Sequence, residues 1–251
     1  MTQPKSPLLF LHGVGGGHHA WERQLPYFGG LGYPSHAWDQ PGYGHSAIVE
    51  PYDLEQVCAA LARLIDSLGG EPVVLVGHSM GGLVAQEAYV RHPGLIKAMA
   101  LCFTSPAFAG GNSEFTKKFI AARINPLDQG KTMADIARAL MPTMRGAVSD
   151  PEGLMLAERI MSAVPPDTYR KAVHLLTTFD RRKELANIKV PTLLIAGSDD
   201  KTAPPSVMEK MAGKIPGAEY VLLEGCGHLG PMDQPDAFND ALHFFLKNHD
   251  L

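Results

Sequence analysis

Apolar residues are arranged along this chain in two alternating patterns. Short continuous runs recur at Leu8-Leu9-Phe10-Leu11, Val73-Val74-Leu75-Val76, residues 96–103 and Leu193-Leu194-Ile195-Ala196. Unbroken runs of this length predict strands covered on both faces of a parallel sheet, where no position faces water. Shorter strands are expected over 35–39 and 219–223. Elsewhere apolar positions recur every three or four residues. The clearest set is Leu54, Val57, Cys58, Leu61, Ile65 and Leu68, behind the capping pair Asp53 and Gln56 and ahead of Gly69-Gly70. It predicts a helix with both ends marked. Further helices are expected over 21–28, cut short by Gly29-Gly30, from about Gly81 to before Pro93, near 206–213 and over 237–248. Strands alternating with helices in this way indicate an α/β architecture with a mostly parallel sheet.

The alternation breaks over 105–186, where helical spacing recurs four times: Phe115 with Phe119; Met133 with Ile136, Ala137 and Leu140; Leu154 with Ile160 and Met161; Tyr169 with Val173 and Leu176. Asp150-Pro151 and Pro165-Pro166-Asp167 are start signals for the last two. The expected organisation is a core of residues 1–104 and 187–251, with 105–186 inserted as a helical cap. Such an insertion suits a lid that excludes water and shapes a pocket. Its methionines Met133, Met141, Met144, Met155 and Met161 read first as core filler, and flexible apolar side chains also suit an adaptable pocket.

Composition narrows the function classes. The 251 residues, 45% hydrophobic, can build one large domain or a domain carrying an insertion. A formal net charge of -4 and a pI near 6.2, without Lys/Arg runs, leave no electrostatic footprint for nucleic acid. No segment approaches the roughly 20 apolar residues that span a bilayer, so no membrane partner is expected and the reading is a cytoplasmic protein. Cys58, Cys102 and Cys226 are an odd number without metal or redox spacing, which fits reduced thiols. Neither a metal nor a cofactor is expected. Trp21 reads as a packing residue.

The chemistry begins at Gly77-His78-Ser79-Met80-Gly81, directly after the second apolar run. This is the G-x-S-x-G pattern of a serine on a sharp strand-to-helix turn, with glycines where side chains would clash. The first strand leads into Gly13-Val14-Gly15-Gly16-Gly17-His18-His19, which lacks the lysine of a phosphate-binding loop and the spacing of a dinucleotide fingerprint. A loop this rich in glycine can instead bring a backbone N–H to a substrate oxygen, and Val14 is the candidate donor. The adjacent histidines have no further ligand at metal spacing. Two acids follow the strand ending at Gly197, Asp199 and Asp200, and His228 follows the last strand in Gly225-Cys226-Gly227-His228. The order Ser, Asp, His at the ends of separate strands assembles nucleophile, orienting carboxylate and base.

On these residues the chain resembles the α/β-hydrolase superfamily: His12-Gly13, Gly77-His78-Ser79-Met80-Gly81, Gly197-Ser198-Asp199-Asp200 followed by Pro204, and Gly227-His228 stand in the matching places. The resemblance implies catalytic Ser79, Asp200 and His228, with Asp199 in reserve, and an oxyanion hole made by the backbone N–H groups of Val14 and Met80. Asp180-Arg181-Arg182-Lys183-Glu184-Leu185 ahead of Val190-Pro191-Thr192 looks more narrowly like the bacterial 3-oxoadipate enol-lactonase and carboxylesterase branch. The implied activity is hydrolysis of an ester or enol-lactone of a small molecule through an acyl-enzyme. Alternatives on the same scaffold are carbon–carbon bond hydrolysis of aromatic ring-cleavage products, cofactor-free oxygen chemistry with a His–Asp base, and a ligand-binding receptor without activity. Family members usually carry a β-hairpin before the strand ending in His-Gly. Here about six residues precede it, so a sheet of about six strands is expected, with Ala37 on an open edge that offers a surface for a second copy. Arg123, Arg138, Arg145 and Arg159 in the cap are candidate partners for a substrate carboxylate.

Overall fold

The computed structural model describes residues 4–108 and 113–251. The four apolar runs are the central strands β1 (Leu8–Leu11), β3 (Val73–His78), β4 (Ile96–Cys102) and β5 (Thr192–Gly197). The shorter and wetter strands, β2 (Ser35–Trp38) and β6 (Glu219–Leu223), lie at the edges. The order is β2-β1-β3-β4-β5-β6, with every pair parallel. The sheet therefore has the six strands expected, and β2, which carries Ala37, is an edge.

Successive strand residues point to opposite faces, and each face has its own core. Leu8, Phe10, Val74 and Val76 pack with Phe28 of α1 (Gln24–Gly30) and with Phe238, Leu242 and Phe245 of the C-terminal helix. Leu9, Leu11, Leu75 and Leu101 pack on the other side with Val57 and Leu61 of α2 (Leu54–Ser67) and Val84 of α3 (Met80–Arg91). Each fully buried Leu or Val stabilises the fold by about 1.5–3 kcal/mol, so the runs stay apolar at every position. The N-terminus of α2 is capped as expected, the Gln56 N–H donating to Asp53 Oδ1 at 2.8 Å. The first helix differs. It starts at Gln24, after a 3₁₀ turn at His18–Trp21, and continues through Gly29 and Gly30. No atom comes within 4 Å of where their Cβ would lie; the reversal falls at Gly32, whose φ of +87° suits glycine.

Between β4 and β5 stand α4 (Glu114–Asp128), α5 (Met133–Met144), α6 (Pro151–Ser162) and α7 (Pro166–Leu176). Thr132 and Asp135 form a capping box at α5, and Asp150 caps α6 ahead of Pro151. The two ends of this helical segment meet in an antiparallel bridge between Ala107 and Asp180. After β5 come α8 (Pro205–Ala212), the single turn α9 (Gly230–Asp233) and α10 (Pro235–Asn248). The turn α9 has no counterpart in the sequence pattern, because four residues are too few for a helical period. Among the described residues no helix is long and apolar enough to cross a membrane.

From β1 the chain moves outward to β2, then returns to place β3 on the other side of β1. Strand order thus reverses between β1 and β3, and the loops leaving their carboxyl ends splay apart into a crevice. One loop holds Gly13 to Gly17 and the other holds Ser79.

Behind the crevice, the fully buried Glu87 of α3 ties the sheet to the segment after α7. Arg181 grips its carboxylate with both Nε and Nη2, at 2.6 and 2.7 Å, and Arg91 Nε adds a bond of 2.6 Å. Burial alone would raise the Glu87 pKa, but these hydrogen bonds outweigh it and hold the group below its ordinary 4.5. The stabilisation is therefore present above the unfolded-state value and disappears as pH falls through the lower folded-state value. Glu87→Gln should cost about 3–5 kcal/mol at neutral pH, since it strands two guanidinium groups. In denaturant titrations the deficit against wild type should narrow below pH ~4; a deficit constant from pH 7 to pH 3 would count against the clamp.

Candidate active site

Ser79 sits on a turn that most residues cannot make, with φ 53° and ψ -115°. Two absent side chains permit it. A Cβ on Gly81 would lie 2.1 Å from the Leu11 carbonyl oxygen, and one on Gly77 would lie 2.5 Å from that of Gly81. The turn lifts the serine hydroxyl off the end of β3 at the N-terminus of α3, where helix N–H groups have no partners of their own.

Ser79 Oγ lies 3.0 Å from His228 Nε2, and His228 Nδ1 lies 2.7 Å from Asp200 Oδ2. A carboxylate only accepts, so Nδ1 carries the proton and the lone pair of Nε2 faces the serine. Asp200 Oδ1 accepts the N–H groups of Thr202 and Ala203 at 2.7 and 2.9 Å. Its burial would raise its pKa, but the His228 ring and these two donors outweigh that and keep it below the ordinary carboxylate value. Asp199, the reserve candidate, faces elsewhere: its Oδ2 accepts the Ala147 N–H at 2.7 Å and its Oδ1 the Ser198 hydroxyl.

The His228 loop is held from two sides. Its N–H donates to the Met144 carbonyl at the end of α5, and its carbonyl accepts Nε2–H of His78, each at 2.7 Å. Burial, then the neighbouring His228 ring, lowers the His78 pKa to about 3, so this ring stays neutral. Gly227 allows the α5 end to come this close, since a Cβ there would be 2.1 Å from the Met144 oxygen.

Two further peptides are oriented by partners that periodicity does not reveal. The Gly13 carbonyl accepts both His12 Nδ1–H at 2.8 Å and the Gly16 N–H at 2.9 Å. The His12 tautomer is set by the Gln40 N–H, which donates to Nε2 at 3.1 Å, and burial lowers the ring's pKa to about 4. The Ser79 carbonyl accepts the Thr104 hydroxyl at 2.8 Å and the Gly82 N–H at 2.9 Å. In a planar trans peptide the N–H points opposite to the C=O. Anchoring these carbonyls away from the crevice thus turns the N–H groups of Val14 and Met80 the other way, and among the described residues neither has an acceptor. His12 was visible only as the dipeptide His12-Gly13, while Gln40 and Thr104 left no signal.

Ser79, His228 and Val14 border a cavity of about 80 Å³ whose other walls include Met141, Met144 and Met161. Met133 is core, and Met155 is exposed. Trp21 is buried between Phe10 and Phe238. Of the four cap arginines, Arg123 lines the cavity. Arg138 pairs with Asp135 and Glu158, Arg159 pairs with Glu22, and Arg145 is exposed. His18 pairs with Asp39 at 2.8 Å, and no cluster of metal-ligating side chains is found among the described residues. Cys58, Cys102 and Cys226 are buried free thiols.

The family model for the alpha/beta hydrolase fold matches residues 6–235. The proposed carbamate hydrolase RutD of Pseudomonas syringae pv. syringae is 32% identical, over 96% of this chain and 93% of that protein. The pimeloyl-(acyl-carrier protein) methyl ester esterase of Neisseria meningitidis serogroup C is 27% identical, over 98% of this chain and 96% of its own. The crystal structure of the enol-lactonase from Burkholderia xenovorans LB400 superposes with a TM-score of 0.85 at 26% identity, covering 97% of this chain and 92% of that one. The chain belongs to the alpha/beta hydrolase fold family.

Proposed function

We propose that this protein is a serine hydrolase that cleaves an ester or enol-lactone of a small molecule through an acyl-enzyme. The observation that carries the reading is the continuous relay from Ser79 Oγ to His228 at 3.0 Å and from His228 to Asp200 at 2.7 Å. His228 Nε2 takes the hydroxyl proton as Oγ attacks the carbonyl carbon. The oxyanion is held by the N–H groups of Val14 and Met80. The C–O bond to the alcohol then breaks, and His228 returns the proton to the leaving oxygen. Water repeats the sequence on the acyl-serine, releasing the acid and restoring the hydroxyl. Asp200 keeps His228 in the productive tautomer throughout.

In this reading residues 1–104 and 187–251 form the catalytic core, and 105–186 form a cap that keeps bulk water off the acyl-serine. Esters are favoured as substrates because the hydrolase names among the relatives include a methyl ester esterase and an enol-lactonase.

Ser79→Ala should lower turnover of a short-chain ester by roughly 10⁴-fold or more while leaving the melting temperature close to wild type. The wild-type protein should show a pre-steady-state burst, and a serine-directed phosphonate should label Ser79. Retained turnover in Ser79→Ala would instead point to chemistry run by the His228–Asp200 pair alone. Silence toward every ester together with tight binding of one small ligand would favour a receptor.

Thr104 tests the oxyanion donor separately. Thr104→Val should reduce kcat about tenfold with little change in KM, because it frees the Ser79–Met80 peptide to turn. Thr104→Ser, which keeps the hydroxyl, should restore most of the rate. A loss of stability of about 1 kcal/mol with kcat unchanged would make Thr104 merely structural.

A further inference from the structure

We propose that Arg123 and Tyr169 form a recognition site for a carboxylate on the substrate, so that the preferred substrate is a small ester or lactone bearing a second, ionised acid group. The proposal rests on the hydrolase reading for what happens at Ser79, but its own ground is separate.

Arg123 of α4 and Tyr169 of α7 both border the cavity that contains Ser79 and His228. The guanidinium carbon of Arg123 lies 3.6 Å from the centroid of the Phe119 ring, a cation–π contact that holds the charge against the cavity wall. Most of its side chain is withdrawn from water, and burial pulls its pKa below the ordinary value, although a guanidinium remains charged. No carboxylate pairs with it among the described residues, whereas Arg23, Arg138, Arg159, Arg170 and Arg181 all have one. Residues 1–3 and 109–112 contain no Asp or Glu, so the chain has no undescribed side chain to serve as counter-ion.

Tyr169 supplies a second, independent sign. It is 0% exposed, and its hydroxyl has no hydrogen-bond partner. Such an orphaned polar group costs about 1–3 kcal/mol, which a fold does not ordinarily leave unrecovered. Burial raises its pKa to about 12, so the phenol keeps its proton and serves as a donor. Arg123 and Tyr169 line the same cavity, on α4 and α7, which pack against each other. One guanidinium and one hydroxyl donor on the wall of a single cavity suit the two oxygens of a carboxylate. A phosphate dianion would need more donors than this apolar wall offers.

The test compares two substrates of equal length, monomethyl glutarate and methyl pentanoate, followed by acid release in a pH-stat. Wild type should favour the half-ester in kcat/KM by at least about tenfold. In Arg123→Met that ratio should fall about thirtyfold or more, mainly through KM for the half-ester. Arg123→Lys should fall between the two, keeping charge without the planar edge. Tyr169→Phe should reduce the ratio about fivefold. An unchanged ratio in Arg123→Met, or an equal loss on both substrates, would overturn the site. If neither ester is cleaved by wild type, the hydrolase reading fails and calorimetric titration with glutarate decides the subsite alone. Saturable binding to wild type that disappears in Arg123→Met supports it; equal binding, or none to wild type, rejects it.

Discussion

The backbone at Ser79 is the constraint on which the site depends. A non-glycine residue at φ 53° is strained, and here it persists because α3 is driven onto β3 at Gly77 and onto β1 at Gly81, with no side chain between them. That approach has consequences in both directions along the chain. It puts the serine hydroxyl within reach of a histidine 149 residues away. It also turns the Ser79 carbonyl back toward Thr104, which leaves the Met80 N–H aimed into the crevice. Strain, hydroxyl position and donor direction are one geometric fact, and weakening the packing of α3 on the sheet would alter all three.

The elements that the sequence announces are those whose cause is local. The β3 run, the Asp53 cap of α2, the Asp150-Pro151 start of α6 and the glycine spacing around Ser79 each need only neighbours within a few residues. Asp199 and Asp200 are different. They are adjacent and chemically identical, and only the fold separates them, sending one carboxylate to His228 and the other to the Ala147 N–H. The four cap arginines illustrate the same limit. The contact of Arg123 with Phe119, four residues earlier on α4, is local, but only the fold turns Arg123 to the cavity while the others meet carboxylates or water.

The cluster from Asp180 to Leu185 shows resemblance and mechanism parting company. It supported a narrow family likeness, yet Arg181 spends both arms of its guanidinium on buried Glu87 and Arg182 pairs with Asp180. These charges hold the returning chain against α3, well behind the crevice, so they carry architecture rather than substrate choice.

The way the helical segment between β4 and β5 is fastened limits how it can move. Its two ends are joined to each other by the Ala107–Asp180 bridge, and its middle is pinned where Met144, Ala147 and Val148 bond the loops carrying His228, Asp199 and Gly225. A plate held at three points behaves as a roof, not a door. Lifting it on the α5 side would drag the His228 backbone along and break the alignment with Ser79. A molecule approaching Ser79 therefore passes between rafters, by side chains swinging aside, rather than under a lifted roof.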